Sequence, residues 1–256
     1  MSRIITITNQ KGGVGKTTTT VNLATCLAQA GKRVLVVDMD PQGNASSGFG
    51  INKFGLQQTV YNLLIGEATL EDVILPVCVE GVRLLPANID LSGAEIEMIA
   101  MDEREYRLRS IFSHSRYQFD YILIDCPPSL NLLTVNALCA ADSVLIPIQC
   151  EYYALEGLTQ LMNTIKLVQQ RLNTRLAIEG VVFTMYDSRT NLSNQVVDEV
   201  QRHLGAYTYK TIVPRNVRLS EAPSHGLPIT LYSSDSKGAE AYKQLAQELM
   251  ERNRRS

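Results

Sequence analysis

Tryptophan is absent, and histidine is scarce: only His114, His203 and His225 occur in the 256 residues. The five cysteines (Cys26, Cys78, Cys126, Cys139, Cys150) form no C-x-x-C pair, and no histidine stands at ligand spacing from any of them. That spacing argues against a zinc or iron–sulfur site and leaves the cysteines as small apolar fillers in a reducing compartment. A charge excess is also missing. Lys and Arg number 24 against 26 Asp and Glu, a formal net charge of -2, so no whole-molecule field draws the chain to nucleic acid or to an anionic membrane. Any such contact has to be local. No apolar run approaches the roughly 18 residues that span a bilayer, and no signal-peptide core precedes the first strand, so a cytoplasmic protein is expected. No internal repeat, low-complexity segment or Pro/Gly/Ser-rich linker divides the chain, and residues 1–256 are expected to form a single domain with a sizeable core.

What is present is an alternation of β-branched apolar runs with helical patterns. Strands are predicted at 3–8, 33–38, 82–85, 121–125, 143–148 and 180–184, with further strand pattern leading into 213–216. Helices are predicted at 16–30 (closed by Gly31), 92–115, 130–140, 154–172, 192–204 and 239–250, and 43–66 reads as loop with short helices. Strands apolar on both faces and separated by helices imply a doubly wound α/β fold, a mostly parallel sheet with helices on both faces.

Between the first strand and the first helix stands Asn9-Gln10-Lys11-Gly12-Gly13-Val14-Gly15-Lys16-Thr17-Thr18. Glycines at such a turn let backbone N–H groups face phosphate oxygens, and the helix N-terminus adds the positive end of its dipole. Lys16 is placed to reach the β- and γ-phosphates and Thr17 to ligate Mg²⁺. A Gly-rich turn also serves as a plain tight connection, but Lys-Thr at the helix start favours a phosphate site over Lys11, Gly12, Gly13, Val14, Gly15, Lys16, Thr17 and Thr18. The strict P-loop pattern fails at Gln10, where its first glycine belongs, and Lys11 is an extra lysine.

The resulting K-G-G-V-G-K-T-T resembles the deviant Walker A ATPases of the ParA/MinD superfamily. The resemblance implies ATP and Mg²⁺ as cofactors and an ATP-bound homodimer, in which Lys11 crosses to the partner's phosphates and acts with Lys16 as an arginine finger does. Asp38-Met39-Asp40-Pro41-Gln42-Gly43-Asn44 is similar to the family's switch I. Asp40 is then the residue that orients the attacking water, and Asp38 lies near the magnesium through water. Asp125-Cys126-Pro127-Pro128-Ser129 resembles the Walker B and switch II segment, with Asp125 holding the metal's water shell. An Asp ending a strand is otherwise a common helix cap. Met185, Pro214 and Asn216 would border the adenine; from the residues alone they are turn residues.

Four branches of the superfamily compete. The cysteine spacing disfavours an iron–sulfur carrier, and a small metabolic ligase remains open. A MinD-like membrane-cycling ATPase needs a basic amphipathic C-terminal helix. Here Ala239, Tyr242, Leu245, Ala246, Leu249 and Met250 share one face, but Glu240, Glu248 and Glu251 populate the other, so the helix is expected to pack on the sheet with Arg252, Arg254 and Arg255 as a solvated tail. The fourth branch is DNA segregation. Residues 200–220 hold Arg202, His203, Lys210, Arg215 and Arg218 with no acidic residue, a phosphate footprint or simply a solvated face. The segments 187–191 and 218–226 resemble the chromosomal ParA (Soj) type, which implies DNA contact by Arg189 and Arg218. It also implies a nucleoid-associated protein on nonspecific double-stranded DNA and a ParB-type centromere-binding partner that stimulates slow hydrolysis.

Overall fold

The computed structural model describes residues 2–114, 118–151 and 154–255. In chain order the elements are β1 (Arg3–Ile7), α1 (Lys16–Gln29), β2 (Val34–Asp38), α2 (Asn44–Gly48), α3 (Val60–Ile65), α4 (Leu70–Val73), β3 (Leu75–Pro76), β4 (Val82–Leu85), α5 (Leu91–Glu97) and α6 (Arg107–Ser113). There follow β5 (Tyr121–Asp125), α7 (Leu132–Ala140), β6 (Ser143–Gln149), α8 (Ala154–Arg171), β7 (Ala177–Tyr186), α9 (Asn191–Leu204), β8 (Thr208–Pro214), α10 (Val217–Glu221), α11 (Ile229–Tyr232) and α12 (Lys237–Arg255).

The strands pair in the order β3-β4-β2-β5-β1-β6-β7-β8, and every neighbouring pair is parallel except β3 with β4. The alternation within β2 explains why both faces are covered. Val34 and Val36 join the core under α1 and α12, while Leu35 and Val37 join the core under α3, α5, α6 and α7. Farther along the sheet, Val144, Ile146, Ile148, Val181 and Phe183 pack beneath α8 and α9. This is the doubly wound α/β arrangement expected from the sequence. Because β1 lies between β5 and β6, the winding reverses there, and the crevice at the carboxyl ends of those strands is where such sheets bind ligands.

Three local expectations need correction. The helix expected at 92–115 is two helices, α5 and α6, separated by turns at Met98–Ala100 and Arg104–Tyr106, with Glu103 at φ 51° between them. The break is held by Asn136 of α7, which donates to the Arg104 carbonyl (2.8 Å) and accepts from the Leu108 N–H (3.2 Å). Ser115 lies outside the described residues. The strand predicted at 180–184 extends over Ala177–Tyr186, and β8 runs the length of Thr208–Pro214.

The third correction concerns the C-terminal helix. Ala239, Tyr242, Leu245 and Leu249 are buried, as expected, against α1 and β8. Its polar side, however, is anchored. Glu248 accepts from the N–H groups of Lys210 and Thr211 (both 2.9 Å), and Arg252 pairs with Glu248 (2.8 Å) while lying 3.9 Å from the centroid of the Tyr209 ring. Arg252 is therefore a stacked structural residue and no part of a solvated tail. Leu245→Ala should lower unfolding stability by roughly 2–5 kcal/mol in denaturant titration, the usual range for a fully buried leucine; an unchanged midpoint would mean that α12 is not part of the core.

Candidate nucleotide-binding site

The loop from β1 to α1 is fixed at its entry by Asn9, whose amide donates to the Pro147 carbonyl (2.8 Å) and whose oxygen accepts from the Lys11 N–H (3.1 Å). Gly15 stands at the N-cap of α1 with φ 86°, a left-handed conformation that a side chain would strain, and no side chain caps the helix. The first N–H groups of α1 are thus directed into a cleft of about 360 Å³, lined by the Gly12–Thr18 loop with Asp40, Gln42 and Met185. Lys16 is 7% exposed and donates its Nζ to the Lys11 carbonyl (3.0 Å). Burial lowers its pKa from the ordinary lysine value, opposed chiefly by the nearby charge of Asp125.

Opposite the loop stand the acidic residues. Asp38 and Asp125 end adjacent strands in direct register, and Asp125 is also level with Ile7 of β1. Both are fully buried. Asp125 accepts from the hydroxyls of Thr17 (2.7 Å) and Thr20 (3.0 Å); Asp38 accepts from the N–H and hydroxyl of Ser46 (both 2.8 Å) and from the Asp40 N–H (3.2 Å). Burial pushes Asp38 up to about 6 and Asp125 up to about 8, the charge of Asp38 adding to the shift of Asp125. Two neighbouring carboxylates so disfavoured as anions form an environment that a cation would stabilise. The donors present, one threonine hydroxyl beside a carboxylate, suit Mg²⁺ held largely by phosphates and water. Among the described residues no group of three or more His, Cys, Asp or Glu is placed to hold a metal ion by itself. Thr17 would ligate the ion, with Asp125 and Asp38 acting on its water shell.

Asp40 is 8% exposed and lines the cleft, its carboxylate accepting from the Gln42 N–H (2.9 Å). The turn that aims it depends on Gly43, at φ 59°, where a Cβ would lie 2.6 Å from the Ala87 carbonyl oxygen. Gly15, Thr18 and Met185 are shared with a second cleft of about 350 Å³, lined also by Pro214, Asn216, Leu219 and Tyr242. All three residues expected beside the base are therefore brought together. Met185 adopts φ 50°, one of two non-glycine residues among those described with positive φ, at the junction of the two clefts. Asn216 caps α10 by accepting from the Arg218 N–H (2.9 Å), which leaves its NH₂ as the donor available to a base.

Several partners escaped the sequence reading. Ser46 holds Asp38, Thr184 donates to the Val14 carbonyl (2.8 Å), Tyr242 meets the Thr19 hydroxyl (3.2 Å), and the Nζ of Lys11 is paired with Glu151 just past β6. None of these contacts has a local sequence signal, since each joins residues of different elements. The basic window also changes character in space. Arg202 and His203 pair with Glu199 and Arg218 pairs with Glu221 (2.8 Å), so the acidic residues bordering the window meet basic side chains inside it; outside the window, Arg189 pairs with Asp187 (2.7 Å).

Lys16→Ala should reduce affinity for a non-hydrolysable ATP analogue by about two orders of magnitude or more in calorimetry, because the buried cation facing the phosphates is removed; unchanged affinity would remove the phosphate-site assignment.

Residues 2–178 match the family model described as "AAA domain". The chain is 59% identical over 249 residues to the sporulation initiation inhibitor protein Soj of Bacillus subtilis, covering 97% of this chain and 98% of that protein. It is 54% identical to the chromosome partitioning protein ParA of Myxococcus xanthus, over 99% of this chain and 89% of that one. Among solved structures, cobyrinic acid a,c-diamide synthase of Mycobacterium smegmatis with bound ADP and magnesium superposes with a TM-score of 0.84 at 38% identity, covering 98% of this chain and 94% of that one. Near-complete coverage at such identity, together with the doubled lysine of the phosphate loop, means that this chain belongs to the ParA/Soj family of chromosome-partitioning proteins, within the ParA/MinD superfamily of deviant Walker A ATPases.

Proposed function

We propose that the chain is an ATP-dependent DNA-segregation ATPase whose ATP-bound homodimer holds nonspecific double-stranded DNA and releases it on hydrolysis. The observation that carries this reading is the pair of adjoining clefts that share Gly15, Thr18 and Met185, with Asn216 lining one, Lys16 and Asp40 lining the other, and the buried Asp125 hydrogen-bonded behind Thr17. ATP and Mg²⁺ fit that charge arrangement. The metal, when bound, neutralises phosphate charge as it develops during transfer. Lys16 binds the β- and γ-phosphates, Thr17 orients the metal, and Asp40 positions the attacking water. Lys11 exchanges Glu151 for the phosphates of a facing protomer, so closure of the dimer completes the catalytic charge. Arg189 in the turn after β7 and Arg218 in α10 after β8 form the DNA surface, and pairing two protomers doubles the phosphate contacts. A ParB-type centromere-binding partner accelerates an otherwise slow hydrolysis, and the protein works on the nucleoid in the cytoplasm.

A membrane-cycling reading of the MinD kind has less support. The apolar face of α12 is spent on α1 and β8, and among the described residues no helix is long and apolar enough to cross a membrane. The synthase named for the mycobacterial relative represents a third reading, in which the same cleft serves ligation and no face-to-face dimer is needed.

DNA binding measured with ATP, with ADP and without nucleotide across a salt series separates these. Tight, salt-sensitive binding with ATP alone is expected, and its absence would hand the protein to another cargo. Gly12→Val adds the discriminating variant. A Cβ at Gly12 has nothing within 4 Å of it in the protomer, so nucleotide binding should persist while ATP-dependent dimerisation and DNA binding are lost through collision with the facing loop. A Gly12→Val dimer like that of the wild type would contradict the sandwich.

A further inference from the structure

Both arginines assigned to DNA are already occupied. The Arg189 side chain is 85% exposed, yet its guanidinium makes two parallel bonds to Asp187, Nε to Oδ1 at 2.9 Å and Nη2 to Oδ2 at 2.7 Å. Asp187 is fixed in turn by the Arg189 N–H, which donates to its Oδ1 (3.0 Å). In α10, which follows the neighbouring strand β8, Arg218 donates from Nη1 to Glu221 Oε2 (2.8 Å), and that oxygen also accepts from the Tyr232 hydroxyl (3.1 Å), whose ring stacks on His225 at 4.8 Å. The ends of β7 and β8 are tied by the Arg215 N–H donating to the Tyr186 carbonyl (2.9 Å). An arginine paired with a carboxylate of its own segment thus occurs twice on neighbouring parts of the chain, once in the turn after β7 and once within the short helix α10.

We propose that Asp187 and Glu221 are carboxylate latches of the DNA surface, each of which a DNA phosphate must displace before Arg189 or Arg218 can hold it. The inference rests on the DNA reading given above and concerns its regulation. A carboxylate and a phosphate offer a guanidinium the same paired oxygens, so a phosphate exchanges with the latch and does not add to it. Titration does not open the latches. Hydrogen bonding from Arg189 holds Asp187 down to about 2, and Arg218 holds Glu221 below the usual carboxylate range, so both stay ionised near neutrality. An exposed ion pair is weak, so a single exchange is nearly neutral and one protomer gains little from DNA. Two protomers exchanging together on one duplex gain enough. The latches therefore keep the monomer off DNA and make binding conditional on the ATP dimer.

Asp187→Asn keeps an oxygen for the Arg189 N–H and removes the charge; Glu221→Gln does the same for Tyr232. Each latch, at about 2- to 5-fold per protomer, should raise the affinity of the ATP-loaded dimer for a duplex of arbitrary sequence about 4- to 25-fold at low salt. The gain should shrink as salt rises, because the ions that compete for phosphate also screen the latch. In an Arg189→Ala background Asp187→Asn should give no gain, and in an Arg218→Ala background neither should Glu221→Gln. Asp198→Asn, which removes an exposed charge from α9 without freeing an arginine, should change affinity by less than 2-fold. The proposal is overturned if the latch variants bind like wild type, if their gain survives loss of the arginine, or if Asp198→Asn gives the same gain. ATP-dependent DNA binding by the wild type with unresponsive latch variants sinks the latches alone; no DNA binding by any of them sinks the DNA reading as well.

Discussion

The structure depends on one electrostatic constraint: the Lys16 ammonium and the carboxylates of Asp38 and Asp125 are buried within one site at the ends of parallel strands. Buried charges are costly unless paired, and here the pairing inside the protomer is incomplete. The carboxylates are pushed toward their neutral forms by burial, and Lys16 rests on a carbonyl oxygen. A phosphate chain with its magnesium supplies both missing signs at once. The rigid sheet makes this possible, since the register of β1, β2 and β5 fixes Ile7, Asp38 and Asp125 level with one another and leaves their separation no freedom to relax.

Around that centre the charges become progressively more exposed and more exchangeable. Lys11 sits at the rim with its side chain 37% exposed and is paired with Glu151. Arg189 and Arg218 lie farther out, with Asp187 and Glu221 as partners. In each case a cation proposed to act on another molecule is paired with a carboxylate of its own chain. Nucleotide, second protomer and DNA would then be engaged in order of increasing exposure, each exchanging a local carboxylate or carbonyl for phosphate oxygens. Asn216 links the two regions, lining the second cleft while capping the short helix that carries Arg218.

Much of this was legible in the sequence. The two-faced apolar runs at 33–38 and 121–125 point to a covered parallel sheet, and the Gly-rich turn before Lys-Thr points to the cleft that the structure places at the start of α1. Local signals end where function depends on distant residues. Nothing near Lys11 points to Glu151, which is 140 residues away, and nothing near Asp38 marks Ser46 as its partner. The apolar pattern over 92–115 is helical in period, yet Asn136 of another helix stabilises a break that the period cannot reveal. The acid-free stretch from 200 to 220 looks like a positive face because Glu199 and Glu221 stand one residue beyond its borders and pair with basic residues three or four positions away inside it.

The central claim is that Lys11 does its work in a partner's site and not in its own. Sedimentation velocity of Lys11→Ala beside the wild type, both saturated with a slowly hydrolysed ATP analogue and magnesium, tests it most directly. The wild type should sediment as a dimer, whereas Lys11→Ala should bind the analogue and stay a monomer. A Lys11→Ala protein that dimerises as the wild type does would contradict the crossing lysine, and with it the coupling of nucleotide to DNA.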